Sequence, residues 1–306
     1  QQCKGKPVVG LGGSIRALGK AHCTLRRHPL ISIHEYTMSY REVADLYGEL
    51  CRLSPLKREQ RFDISDSRRD IITAGLSPLM ALMEETGAKG LIISGNGVRE
   101  GIFFERCIPF PADMHVLRSS VANCMQLYQL DKGFAQELYR ETCVLADPYP
   151  PLAPYGHILY TACMLSEIGR QIEYYNHPRH TFFILTGLPL YGLSPVEKVM
   201  CALVAAGIGK GAGKGVYAKF YGMLSKEQAM TARRLATLKQ FAETLLFYGF
   251  QCVRMVYDQK KKKLSVFIQP QENGLILPDV TRSSLQKRWR ASFGFKCQLE
   301  NAEQKP

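Results

Sequence analysis

The sequence lacks the long apolar segment that a membrane-spanning helix requires. No apolar run in its 306 residues approaches the roughly 20 residues that cross a bilayer. Residues 1–6 are polar and basic, so no signal peptide precedes the first apolar run. These absences predict a cytoplasmic protein without a transmembrane segment. They leave open a peripheral attachment to an anionic membrane through basic side chains.

Closely spaced cysteines are also missing. The ten cysteines are scattered from Cys3 to Cys297, and none belongs to a Cys-x-x-Cys pair. Zinc sites and small disulfide-linked domains cluster their cysteines. The pattern therefore favours a reducing compartment in which the thiols are buried as small apolar side chains.

Familiar hydrolase motifs are absent as well. The chain has no Walker-type loop, no His-Glu-x-x-His and no Gly-x-Ser-x-Gly. Asp63, Asp66 and Asp70 lie close together, but each has arginine neighbours that would neutralise it. No pair of carboxylates suggests a catalytic acid and base. The sequence predicts neither a catalytic residue nor a metal site within this chain.

Positive charge is what the sequence has in excess. It carries 40 lysines and arginines against 27 acidic residues, which gives a net charge of +13 and a pI near 9.3. Such a surplus concentrates polyanions at the surface, and nucleic acid, anionic membrane and polyphosphate all qualify. No known pattern of aromatic and basic recognition residues is present, so we do not expect nucleic acid to be the partner.

Periodicity divides the chain into three predicted domains. Residues 1–111 alternate short strands, at 8–11 and 91–93, with helices at 39–53 and 67–86, which is typical of an α/β fold. Residues 112–215 show only helical patterns, at 113–129, 132–146, 156–172, 178–186 and 194–206. Residues 216–306 combine a long helix at 225–248, strands at 251–257, 264–269 and 295–299, and a helix at 283–290. The fold class is mixed α/β and all-α.

Two glycine-rich loops follow the strands of the first domain. Gly12, Gly13 and Ser14 join a strand to a helix, where backbone N–H groups and the helix dipole suit a phosphate, and Arg16 adds charge. Residues 94–101 form the second loop, in which Arg99 is the candidate contact. Loops that end two strands of one sheet tend to share an edge. The alternatives are glycines kept for packing and a structural Arg99–Glu100 ion pair.

Further candidates lie in the helical region. His177, Arg179 and His180 open a predicted helix with several donors, although a capped surface helix explains them equally well. Lys210 and Lys214 lie on a glycine-rich connection at 207–215. We expect His177, Arg179 and His180 to line a channel for a long polyanion in the helical domain. Lys210 and Lys214 are further candidate contacts to the substrate, on the glycine-rich connection.

Six segments in this order resemble the Ppx/GppA phosphatase family, over nearly the whole chain. They are residues 10–18, 29–36, 68–75, 94–101, 162–169 and 177–181. The resemblance implies the second lobe of an actin-like (ribonuclease H-like) fold for residues 1–111. It implies an HD-like helical domain for 112–215 and a small C-terminal α/β domain for 216–306.

The resemblance also implies an activity. Family members hydrolyse the terminal phosphoanhydride of inorganic polyphosphate or of guanosine pentaphosphate (pppGpp) with Mg²⁺, as homodimers. The family's catalytic Glu and its Asp-x-Gly-Gly-Gly-Ser loop have no counterpart here, and Ser166-Glu167 replaces its metal-binding pair. We therefore expect this chain to be a C-terminal portion that binds polyphosphate, holds no metal and is inactive alone, within an exopolyphosphatase. The alternatives are a pppGpp phosphohydrolase and a non-catalytic module that binds polyanions or alarmones.

Overall fold

A computed structural model describes residues 4–29, 32–107, 115–208, 215–271 and 275–302 of the chain. The fold is mixed α/β and mostly helical, as the sequence predicts at this coarse level. Contacts group the chain into two compact units. One comprises residues 1–114 with 193–195, and the other comprises 115–192 with 196–306.

A three-stranded sheet organises the first unit. β1 (Val8–Gly10) runs parallel to the central strand β3 (Gly90–Ile93), and β2 (Tyr36–Ser39) pairs with β3 in the antiparallel direction. Because β1 and β3 point the same way, the loops that follow them leave the same edge of the sheet. The helices of this unit are α1 (Gly13–Arg26), α2 (Tyr40–Arg52), α3 (Pro55–Phe62), α4 (Asp66–Arg69), α5 (Ile72–Thr86) and α6 (Val98–Cys107).

Helix α2 shows why these residues fold locally as they do. Ser39 and Glu42 form a reciprocal capping box at its N-terminus. Val43, Leu46 and Leu50 then fall on one face and are buried in the core of the first unit. The predicted helix at 39–53 is confirmed.

The first unit differs from the sequence prediction at two places. The single helix expected at 67–86 is split, because the N–H of Ile71 turns back to the carbonyl of Arg68 and α5 begins only at Ile72. The strand β2 was not predicted. Its alternation of buried Tyr36 and Met38 with exposed Thr37 and Ser39 is a period-2 signal, but four residues are too few to stand out.

The second unit combines eight helices of the described chain with a small sheet. Its helices are α7 (Val116–Leu127), α8 (Lys132–Ala146), α9 (Gly156–Met164), α10 (His177–Gly187), α11 (Pro195–Ala205), α12 (Ala218–Tyr221), α13 (Lys226–Phe247) and α14 (Asp279–Phe293). Shorter 3₁₀ turns occur at Pro150–Tyr155, Ile168–Gln171 and Gly215–Tyr217. Its sheet has the order β4 (Phe250–Asp258), β5 (Lys263–Pro270), β6 (Lys296–Asn301), with β4 antiparallel and β6 parallel to β5.

The helix predicted at 156–172 ends early, at Met164. The hydroxyl of Thr181 explains this, because it donates to the carbonyl of Ser166 and accepts the N–H of Gly169. A Cβ on Gly169 would lie 2.2 Å from the carbonyl oxygen of His177, so only glycine fits this approach. The first turn of α10 therefore replaces the continuation of α9.

Helix α13 is the centre of the second unit. It packs against α8, α9, α14 and β4. Trp289 is fully buried beside it, 5.3 Å from the ring of Phe241 and stacked at 4.6 Å on Phe293. The division at residue 215 into two further domains stays a prediction. Within the described residues, no helix is long and apolar enough to cross a membrane.

Candidate phosphate-binding site

The loops that follow β1 and β3 are joined by direct hydrogen bonds. The N–H of Ser94 donates to the carbonyl of Gly10 at 2.9 Å, which extends the strand pairing beyond Ile93. Arg16, one turn into α1, donates from Nη1 to the carbonyl of Gly95 at 3.2 Å. The two loops predicted to share an edge therefore do so, and Arg16 bridges them.

The β1–α1 turn presents the start of α1 without a side-chain cap. Gly12 precedes the helix with φ 102° and ψ 172°, a backbone conformation that residues other than glycine avoid. Its carbonyl accepts the N–H of Arg16 at 3.0 Å, but no side chain among the described residues caps the first turn. The amides at the start of α1 therefore remain available as donors, where the helix dipole favours an anion.

Arg68, at the end of the short helix α4, lies over this turn. A Cβ on Gly13 would fall 2.1 Å from the Cζ of Arg68, so the guanidinium occupies the space that glycine leaves open. Its neighbours Arg58 and Arg69 are used structurally: Arg58 donates to the carbonyls of Leu50 and Arg69. Arg69 forms ion pairs with Glu59 and Asp66. Of these three arginines, Arg68 is the one that faces the turn.

Two amides of the second loop are already engaged in hydrogen bonds to side chains. The N–H of Gly97 donates to Oε2 of Glu100 at 2.7 Å, and the N–H of Gly95 donates to Nδ1 of His34 at 3.1 Å. The hydrogen bond from Gly97 is the main cause that lowers the pKa of Glu100, and the positive charges of Arg99 and Arg16 add to it. These hydrogen bonds hold the second loop in place. The amides that can donate to a ligand are therefore those at the start of α1.

Ser14 and Arg99 lie at this edge in different ways. The hydroxyl of Ser14 points towards α5, where a Cβ on Gly75 would come within 2.5 Å of it. Ser14 therefore contributes its backbone N–H rather than its side chain to the turn. The side chain of Arg99 is exposed. Glu100 accepts from the Gly97 amide, so the Arg99–Glu100 ion pair considered above is not the bond that shapes this loop.

The helical candidates of the second unit have three different environments. The Nδ1 of His177 is buried without a hydrogen-bond partner in the described structure, and burial is the main cause that lowers its pKa. Arg179 is exposed. His180 approaches Glu173, with 3.4 Å between Nε2 and Oε2. Lys210 and Lys214 lie outside the described residues. The channel lined by the two histidines and Arg179, and the substrate contacts of the two lysines, stay predictions.

Carboxylates and histidines near these places could in principle hold a metal ion. Across the described ranges, no group of three His, Cys, Asp or Glu side chains is arranged to hold a metal ion. At the strand-end loops, Glu100 is already bound by the Gly97 amide. In the second unit, Oε2 of Glu167 forms an ion pair with Arg170 at 2.5 Å. These carboxylates do not form a Mg²⁺ ligand set.

The part of the chain that carries the two loops matches a known family. Residues 5–108 fit the model of the Ppx/GppA phosphatase family. Over these residues, about a third of its length, the chain is similar to that family. The segments at 10–18 and 94–101, which suggested this resemblance, are the ones that meet at the sheet edge.

Two curated relatives of this family carry the same name, guanosine-5'-triphosphate,3'-diphosphate pyrophosphatase. The protein of Aeromonas hydrophila is 26% identical over 201 residues, and that of Aeromonas salmonicida is 25% identical over 201 residues. Each alignment covers 63% of this chain and 38% of the relative. The chain therefore spans about two fifths of the length of these relatives.

Two solved structures of the Aquifex aeolicus Ppx/GppA protein are also similar in part. The type II variant of the phosphatase is 26% identical, covers 34% of this chain and 36% of that chain, and superposes with a TM-score of 0.30. The other structure is 24% identical, with coverages of 34% and 35% and the same TM-score of 0.30.

Sequence reasoning did not identify two residues of this sheet edge as site residues. Arg68 was noted only as part of the family segment at 68–75, and His34 only as part of the segment at 29–36. Neither lies in a glycine-rich loop, so local pattern gave no reason to single them out. The sequence signal that could have found them is their place in these two family segments. Each residue reaches the sheet edge from an element outside the two loops.

Proposed function

We propose that this chain is the phosphate-binding part of a Ppx/GppA phosphohydrolase, and that it holds the terminal phosphates of its substrate at the start of α1. The observation that carries the proposal is the uncapped first turn of α1 between the guanidiniums of Arg16 and Arg68. Backbone N–H groups and guanidiniums are the donors that suit phosphate oxygens.

The electrostatics of the edge support an anionic ligand. Arg16, Arg68 and Arg99 surround the two loops, and the carboxylate of Glu100 is occupied by the Gly97 amide. In a phosphoanhydride hydrolase, donors that are already in place stabilise the charge that develops on the transferred phosphoryl group. The chain would contribute this binding and orientation, and the water-activating carboxylate and Mg²⁺ remain predictions from the family resemblance.

Guanosine pentaphosphate is the first substrate to test. The two curated relatives are named for a guanosine-5'-triphosphate,3'-diphosphate pyrophosphatase activity. Inorganic polyphosphate is the second, because a net charge of +13 suits a longer polyanion. Both present a terminal phosphoanhydride to the same donors. Homodimer formation and a cytoplasmic location also stay predictions.

Binding and hydrolysis should be measured on the same preparation. Affinities for pppGpp, tripolyphosphate and long-chain polyphosphate are compared between the wild type and an Arg68→Met variant, with Mg²⁺-dependent phosphate release followed in parallel. Arg41→Met is the matched control, since Arg41 is an exposed residue that pairs with Asp45 on α2. We expect Arg68→Met to lose about ten-fold or more in affinity, the range of one charge-assisted phosphate contact.

The outcomes separate the alternatives. Loss of affinity with Arg68→Met but not with Arg41→Met supports the site. Binding without any phosphate release supports the expectation that this chain alone is a binding module. Unchanged affinity in Arg68→Met for all three ligands would contradict the proposal, whichever of them binds best.

A further inference from the structure

A second concave site lies wholly within the helical unit, between α7, α8 and α9. The cavity measures about 760 Å³ and includes Arg118, Gln126, Lys132, Tyr139 and Tyr160 in its lining. Pockets for small organic ligands fall between roughly 300 and 1,000 Å³. Neither the family nor the relatives' names assign this cavity a role.

Two tyrosines fix the aromatic part of the cavity. The rings of Tyr139 and Tyr160 meet edge to face, with 5.3 Å between centroids and an interplanar angle of 86°. The Cζ of Arg118 lies 5.5 Å from the centroid of Tyr160. Met125 and Met164 complete an apolar floor. Aromatic side chains held in place in this way favour a flat heterocyclic ligand, because any nucleotide base can stack on an aromatic ring.

The polar lining matches a ligand that is both heterocyclic and anionic. The described lining contains the cations Arg118 and Lys132 and no carboxylate, and neither cation forms an ion pair with another described residue. Three glutamine amides, Gln126, Gln129 and Gln136, complete the wall. Amides both donate and accept hydrogen bonds, as base edges require, while the two cations suit phosphate.

We propose that this cavity binds a nucleoside diphosphate, with the base against Tyr139 and Tyr160 and the phosphates near Arg118 and Lys132. The inference goes beyond the proposed function, because the residues belong to a different unit from the strand-end loops and the site needs no hydrolysis. It would give the protein a separate nucleotide-responsive site.

Titration of the full chain with mant-GDP and mant-ADP tests the proposal. Guanosine, adenosine and inorganic pyrophosphate serve as competitors that supply only one half of the ligand. We expect saturable binding in which Tyr160→Leu or Arg118→Ala weakens affinity about ten-fold. Arg140→Ala is the matched control, because Arg140 lies on α8 but pairs with Glu137 outside this lining. Arg16→Ala should leave this affinity unchanged.

A further variant separates binding from folding. Gln129 has φ 50°, so Gln129→Gly removes a strained backbone position as well as one amide. We expect its melting temperature to be equal to or above the wild type while nucleotide affinity falls. The proposal is overturned if no nucleotide binds saturably, if pyrophosphate alone competes as well as the diphosphates, or if affinity follows Arg16 rather than Arg118 and Tyr160.

Discussion

Replacement of Gly12 by alanine tests the geometry of the β1–α1 turn directly. Gly12 has φ 102° and ψ 172°, in a region of backbone conformation that is essentially restricted to glycine. A Cβ added there would meet no atom within 4 Å, so neither a clash nor a new contact contributes. The whole effect is backbone strain, which amounts to about 1–3 kcal/mol at such a position.

The assay is urea unfolding followed by far-ultraviolet circular dichroism. We expect Gly12→Ala to lower the free energy of unfolding by about 1–3 kcal/mol. The matched control is Gly48→Ala in the interior of α2, where a Cβ also meets nothing within 4 Å. Because alanine favours a helix interior, this control should gain about 0.5–1 kcal/mol. Two changes that add the same methyl group therefore have opposite signs. Equal or greater stability of Gly12→Ala would refute the turn geometry.

Three further changes have distinct expected outcomes. Gly13→Ala should displace the Arg68 guanidinium and weaken phosphate affinity about ten-fold in an equilibrium titration, with the unfolding free energy changed by less than about 1 kcal/mol. Lys239→Met should cost about 1–3 kcal/mol in urea unfolding, because it removes the buried Nζ that donates to Oε1 of half-buried Glu243 at 2.7 Å. The added Glu243→Leu change should recover most of this cost. Burial lowers the pKa of His177 below its ordinary 6.5, so the stability that the neutral ring contributes is lost as the pH falls from about 6.5 through the lower folded pKa. In His177→Gln, the urea midpoint should therefore depend less on pH between pH 7 and 5 than it does in the wild type. An equal dependence on pH in the two proteins would contradict this prediction.

The parts of the site that follow from local pattern could be predicted from the sequence. The glycines after residue 10 and the apolar run at 91–93 indicate two strand-end loops, and parallel pairing of β1 and β3 brings these loops to one edge. The roles of Gly12 and Arg16 also depend on residues close in sequence. These are contacts that strand and helix periodicity can anticipate.

The arginines of residues 58–69 could not be sorted in this way. Arg58 is buried and donates to two backbone carbonyls, Arg69 pairs with Glu59 and Asp66, and Arg68 covers Gly13. In the sequence alone, the three arginines cannot be distinguished from one another. Only tertiary packing decides which one reaches the turn. The early end of α9 has the same kind of cause, since Thr181 of another helix bonds the carbonyl of Ser166 just beyond it.

Amide chemical shifts test the central claim most directly, since the claim is that α1 and its flanking arginines bind phosphate. A ¹⁵N-labelled chain is titrated with tripolyphosphate, and the same titration is repeated on Arg68→Met. We expect the amides of Gly13 and Ser14 to shift saturably in the wild type, and to shift at about ten-fold higher ligand concentration in the variant. Shifts confined to other parts of the chain, or identical titrations of the two proteins, would contradict the account.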